Sequence, residues 1–148
     1  MIQRIQTLFL LLVAALAASL FFMPVFITKT TSAALPVQAV PFTIQSTLWT
    51  SIVVALSGLV ALVSIFLYRK RQRQMLFCRL NMLFIIAAIG LILQASDTSS
   101  LPNPASQHVT IEYSFAVYFP LLQIIFDWLA LRFIKKDEDP VRSADRLR

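Results

Sequence analysis

Asp127 is the residue whose type and setting most plainly bear on chemistry. It is the one acid within a long apolar stretch, Tyr113 to Leu131. A carboxylate so placed either closes a structural ion pair or handles protons or ions in the membrane. Arg132 is one candidate partner, although side chains on a helix meet at spacings of three or four rather than five. Arg4 and Arg79 are the other cations at the same ends of the apolar stretches, and Gln3, Gln6, Asn81 and Gln123 lie in or near the same half. This grouping predicts a hydrogen-bonded cluster of Gln3, Arg4, Gln6, Arg79, Asn81, Asp127 and Arg132 that locks helices together at their cytoplasmic ends. A relay normally shows several ionisable groups along a path, and here there is one. The structural cluster is the stronger reading, and it expects Asp127→Asn to lower stability in detergent.

Other reactive side chains are scarce. Cys78 is the single cysteine, so no internal disulfide framework exists. It reads as an apolar filler sooner than as a nucleophile. His108 is the single histidine and has no nearby Cys or second His, so a metal site is not expected. A catalytic site usually combines carboxylates, His, or a nucleophile with its base. The sequence therefore predicts a non-enzymatic protein without cofactor.

The elements that would position Asp127 follow from composition. Of 148 residues, 58% are hydrophobic and 14% charged, against about 25% charged in soluble domains. A chain this short cannot bury so much apolar surface in its own core. Lipid is the solvent that accounts for it. Leu8 to Ile27 and Gln45 to Tyr68 carry no charge over 20 and 24 residues. About 20 helical residues cross a hydrocarbon core. Leu80 to Ala95 is shorter, and gains length from Met75 to Cys78 if Arg79 snorkels. The segment holding Asp127 is the fourth. A single crossing segment must be helical to satisfy its backbone. The fold expected is all-α, an integral membrane four-helix bundle with short extracytoplasmic loops. Its helices fall at about 5–27, 46–69, 76–95 and 113–134, within a membrane domain 1–134 followed by a charged tail 135–148. The first apolar run exceeds a signal-peptide core, so it reads as a retained span.

Charge placement orients the spans. There are 13 Lys+Arg and 7 Asp+Glu. Twelve of the 13 basic residues fall on the side of the two termini and the 69–79 loop, with Lys29 alone opposite. Basic residues stay cytoplasmic during insertion, so both termini are expected inside. Arg69, Lys70, Arg71 and Arg73 then rest on anionic headgroups of the bilayer, and nucleic acid is not the expected partner. Tyr68, Trp128, Trp49, Tyr113 and Tyr118 suit the interfacial belts.

Small residues four apart, Ala14 with Ala18 and Ser57 with Ala61, permit close helix packing, as do Gly58 and Gly90. The loops 28–44 and 96–112 show short apolar/polar alternation and admit a small strand pair, limited by Pro36 and Pro41. In the tail, Asp139 and Pro140 suit an N-cap and first turn of a short helix, too short to be stable alone.

The termini carry a resemblance. Met-Ile-Gln-Arg-Ile-Gln-Thr at 1–7, Ile-Lys-Lys-Asp-Glu at 134–138 and Val-Arg-Ser-Ala-Asp-Arg-Leu-Arg at 141–148 resemble the family called domain of unknown function 4293. Length and span layout agree with it. The resemblance implies a small four-span protein of the inner membrane of Bacteroidota. It implies no activity, but directs attention to Gln3, Arg4 and Gln6, and to Asp137, Glu138, Arg142, Asp145 and Arg146 as a tail interaction surface. The expected function is an accessory or structural subunit that meets a membrane protein partner or a second copy of itself. The alternative is a small oligomeric transporter or channel using Asp127.

Overall fold

The computed structural model describes the backbone over 2–32, 35–100 and 108–145, and side chains over 5–30, 38–68, 70–99 and 109–136. Among the described residues there are four α-helices: α1 (Ile2–Ser19), α2 (Leu48–Phe66), α3 (Arg71–Ser100) and α4 (Phe119–Asp145). Each buries one stripe. On α1 and its continuation the stripe is Gln6, Leu10, Val13, Ala17 and Leu20. On α2 it is Thr50, Val54, Ser57, Ala61 and Ser64, and on α3 Gln74, Cys78, Asn81, Ile85, Ala88, Ile92 and Ser96. On α4 it is Pro120, Gln123, Asp127, Ala130 and Ile134. The spacing alternates three and four, a mean of about 3.5, except at the end of α3, where Ala88, Ile92 and Ser96 follow at four. That is the seam of helices packed by left-handed supercoiling.

The seams close a ring in which α1 packs on α2 and α4, and α3 packs on α2 and α4. Three apolar layers fill it. Leu10, Cys78, Ala130 and Ile134 form one, and Val13, Ala61 and Ile85 the next. The third joins Ala17, Leu20, Val54, Ala88 and Ile92 to Val25, Phe26, Ile44 and Ala116. The outward faces are the more apolar ones, with Leu8, Leu11, Leu59, Leu62, Leu83, Ile86, Leu93 and Ile125 exposed. Three of the helices are long and apolar enough to cross a membrane, and among the described residues Ile5–Ser19 is a shorter apolar helix. This is a membrane protein, with lipid the solvent its surface fits.

The ring is not the whole fold. A three-stranded antiparallel sheet of β1 (Phe26–Ser32), β2 (Leu35–Phe42) and β3 (His108–Tyr113) lies in the order β2-β1-β3. Phe26 aligns with Phe42 on one side and Tyr113 on the other. The all-α expectation is thus corrected to helices plus a small sheet. Pro36 and Pro41 are accommodated because β2 is an edge strand, where a missing N–H need not break the ladder.

Helix ends differ from those expected for one reason: charge marks where a helix leaves lipid, not where it stops. The first helix, expected over 5–27, ends at Ser19 and unwinds through Phe21 and Phe22, whose amides donate to Ala18 and Ser19. Pro24 then disfavours helix at the residue before it, and Phe26 enters β1. The third, expected over 76–95, runs from Arg71 to Ser100. At its C-terminal end the hydroxyls of Ser96, Thr98 and Ser99 donate to carbonyls of the preceding turn. The fourth starts later than 113, because β3 and a 3-10 turn (Phe115–Tyr118) precede it. It then continues to Asp145, so Asp139 and Pro140 begin no separate helix.

Candidate functional site

The polar side chains of the spans lie on the buried seams. Thr50, Ser57 and Ser64 follow one another at seven residues on α2, as do Gln74 and Asn81 on α3, while Gln123 and Asp127 occupy successive seam positions of α4. A seven-residue step returns a seam residue to the same place, so these groups face the ring's interior.

Their contacts run across α2 and α3. Ser57 Oγ donates to Asn81 Oδ1 at 2.9 Å. Ser64 Oγ lies 3.4 Å from Cys78 Sγ. Asn81 is also the polar side chain beside the carboxyl of Asp127. Even so, Asp127 Oδ1 and Oδ2, Asn81 Nδ2, Gln123 Nε2 and Thr50 Oγ1 complete no hydrogen bond within the chain. Asp127 is 0% exposed, Asn81 1% and Gln123 3%. Ser57 stands nine residues from either end of α2, so its bond to Asn81 lies midway across the ring.

The expected cytoplasmic-end cluster is therefore partly corrected. Asn81 and Asp127 do come together, between the first and second apolar layers. Gln6 is buried on the α1 seam. Arg79 and Arg132 are exposed, off the seams, and the Arg132 guanidinium lies 5.5 Å over the Trp128 ring. Lipid-facing arginines reach headgroups along their own stems, which turns them away from an interior carboxylate. The side chains of Gln3, Arg4, Asp137, Glu138, Arg142 and Asp145, and all of Arg146, lie outside the described residues. Thr50, Ser57 and Ser64 were missed as interior polar groups, although their heptad spacing is written in the sequence.

Cys78 is fully enclosed. Above the polar layer, Val25, Phe26 and Ile44 fill the sheet end of the ring with no exposed surface. At the opposite end, Lys70, Arg73, Lys135 and Lys136 are exposed. On the ring's flank, between α1 and α2, runs an apolar groove of about 460 Å³. Ala14, Ala17, Ala18 and Gly58 line it, with Ala55, Phe22 and Leu59 at its exposed edge. A Cβ on Gly58 would come within 3.3 Å of Ala17 Cβ, which shows how closely the two helices approach there.

A family model described as Domain of unknown function (DUF4293) matches residues 2–147. No curated protein matches the chain.

Proposed function

Because the chain belongs to the DUF4293 family, a family of unknown function, we propose its role from its own geometry: a non-enzymatic accessory subunit of the bacterial inner membrane. It spans the bilayer four times as a helical bundle with both termini cytoplasmic. The flank groove is the observation that carries this reading. Helices associate in lipid through small residues that let backbones approach, and the groove offers a floor of alanine and glycine facing outward. The chain's polar groups, by contrast, are turned inward and covered at the sheet end, where a soluble substrate would have to enter. The basic 69–73 turn and the Arg132, Lys135 and Lys136 cluster rest on anionic headgroups of the cytoplasmic leaflet. Bacteroidota as the source fits the terminal motifs.

The test is gentle extraction of the tagged protein from its native host with mass spectrometry of what accompanies it. A stoichiometric membrane partner is expected, and Ala55→Trp, which fills the groove from its exposed rim, releases that partner while the protein stays monodisperse. Recovery of the protein alone would sink the accessory reading.

Asp127 favours a second reading, a small oligomeric transporter or channel, since a carboxylate within a span is costly unless used. It requires ion flux in proteoliposomes that Asp127→Asn abolishes.

A further inference from the structure

We propose that Arg79, Arg132 and Lys135, with Trp128 as their platform, form a site for one anionic phospholipid of the cytoplasmic leaflet, on the flank between α3 and α4. The site rests on the orientation proposed above but on no partner protein. It gives a single lipid a place where that reading has only a charged surface.

Helix faces bring the four side chains together. On α4, Phe126 and Phe133 precede the seam by one and stack on Phe9, so that side faces α1. The residues that follow the seam by one, Trp128 after Asp127 and Lys135 after Ile134, then lie on the α3 side. On α1 the residues that follow the seam, Ala14, Ala18 and Phe21, border α2. α3 runs the same way as α1 through the apolar layers. Its residues that follow the seam therefore turn the same way round the ring, toward α4. Arg79, which follows Cys78, is one of them. Height agrees as well. Asn81 stands beside Asp127; Arg79 precedes Asn81 and Trp128 follows Asp127, both toward the basic end. Arg132 is one turn further along α4, its guanidinium 5.5 Å over the Trp128 ring.

Charge calls for an anion there. α3 and α4 are both long and apolar enough to cross a membrane, and Arg79 stands between Leu76 and Leu83, both exposed. A guanidinium among hydrocarbon is costly unless it finds a partner. Among the described residues, Arg79, Arg132 and Lys135 form no ion pair, and Glu112 is held by Lys29 at the sheet end. Asp127 is turned inward. Asp137, the next acid along α4, stands past Trp128 by about 13 Å along the axis. The anion that lipid itself brings to this flank is a headgroup phosphate, toward which arginine stems extend.

Residue types set the selection. Guanidinium groups present paired N–H donors that match phosphate oxygens, and Trp128 holds one of them in place by its ring face. Lys135, beyond Arg132 toward the basic end, repels a headgroup that carries its own ammonium. The site thus favours phosphatidylglycerol over phosphatidylethanolamine. Arg73 precedes the seam residue Gln74, so it lies on the α2 side of α3 and outside the site.

The test uses the full chain with Trp49→Phe, which leaves Trp128 as the remaining tryptophan. The protein is reconstituted in phosphatidylcholine vesicles, and phosphatidylglycerol with brominated chains is titrated as a quencher. Quenching of Trp128 is expected to saturate at a low fraction of phosphatidylglycerol, and to follow only the bulk fraction of brominated phosphatidylethanolamine. Arg79→Gln should raise the half-saturating fraction about tenfold, as the loss of a hydrogen bond between charged groups would. Lys70→Gln with Arg73→Gln removes more charge and should leave it unchanged. Equal quenching by the two brominated lipids would overturn the site. So would a larger effect of the Lys70 and Arg73 changes than of Arg79→Gln, since the attraction would then be a diffuse field. Relief of quenching by inorganic phosphate would make a soluble anion the ligand and overturn the lipid assignment. An exported reporter that proved active after residue 72 would instead overturn the orientation beneath the site.

Discussion

Asp127 shows how far one side chain's energetics depend on what stands beside it. Breaking a buried ion pair by removing one partner leaves the other charge stranded and costs about 3–5 kcal/mol. The expected polar cluster around Asp127, with Arg132, Arg4 and Arg79 as candidate cations, was the basis for expecting Asp127→Asn to destabilise. Arg132 instead stacks on Trp128, so the substitution does not strand it. In neutral detergent, Asp127→Asn should melt no lower than the wild type, the reverse of what an Arg132 ion pair would give. Two glycines make a second comparison at single residues. Gly58 faces Ala17 at 3.3 Å, while a Cβ on Gly90 meets nothing within 4 Å. Gly58→Val forces branched methyls into a packed helix crossing, and overpacking costs about 1–3 kcal/mol. Gly90→Ala adds a methyl toward lipid and removes glycine's entropic penalty in a helix. Thermal melts in one detergent should show Tm lowered by the first and held or raised by the second. Equal losses at both positions would mean that the Ala17–Gly58 approach does not hold α1 against α2.

Helix existence was legible because apolar runs of this length have one solution in lipid, and the seams were legible because polar residues recur at seven. Thr50, Ser57 and Ser64 mark the inner face of α2 as clearly as leucines mark its outer face. Counting inward from the basic residues nevertheless drew Arg79 and Arg132 into the polar cluster, whereas both are exposed and Asn81 bonds to Ser57 instead. The sheet was harder to read. Phe26-Ile-Thr continues the first apolar run, and a short apolar run does not by itself separate strand from helix. What decides it is pairing with residues 108–113, some 80 positions away, which no local pattern reports. Pro24 and the apolar/polar alternation of the two loops, which admitted a strand pair, were the available signals. The sheet's stability should reside in its aromatic contact with the ring. Phe26 is 0% exposed and stacks on Phe42 with centroids 4.4 Å apart. Phe26→Ala is expected to cost about 3–5 kcal/mol, as for other buried Phe→Ala changes. The Lys29–Glu112 bridge, at 2.6 Å, is exposed to water and salt, so Lys29→Ala should cost less than about 1 kcal/mol. Comparable losses from both variants in chemical unfolding would place the sheet's anchor in the ion pair instead.

Taken whole, the molecule exchanges the usual placement of polar and apolar groups. Its helices turn leucine and isoleucine outward and serine, glutamine, asparagine and aspartate inward. In water such a ring would expose its apolar face; in lipid the same face is solvated and the inward groups find each other. The interior therefore contributes specificity of register, because shifting any helix by one residue would turn its seam polar groups into hydrocarbon. Orientation is set by a different feature, the uneven distribution of basic residues. Lys70, Arg71 and Arg73 sit at the end of the ring shared with Arg132, Lys135 and Lys136, and the sheet with its single Lys29 is at the other. On the proposed topology, retention of basic residues on the cytoplasmic side puts the sheet outside. Alkaline phosphatase, active only after export, tests this directly: fused after residue 105 it should be active, and after residue 72 inactive. The cause can be tested with the same reporters. Replacing Lys70, Arg71 and Arg73 by Gln while adding three lysines within 101–107 removes most of the difference across the α3 span. If charge governs insertion, the fusion after 105 should lose activity and the one after 72 should gain it. If the pattern stays as in the wild type, the packing of α1 and α2 would be what holds α3 in place, and the basic turn would be a headgroup contact alone.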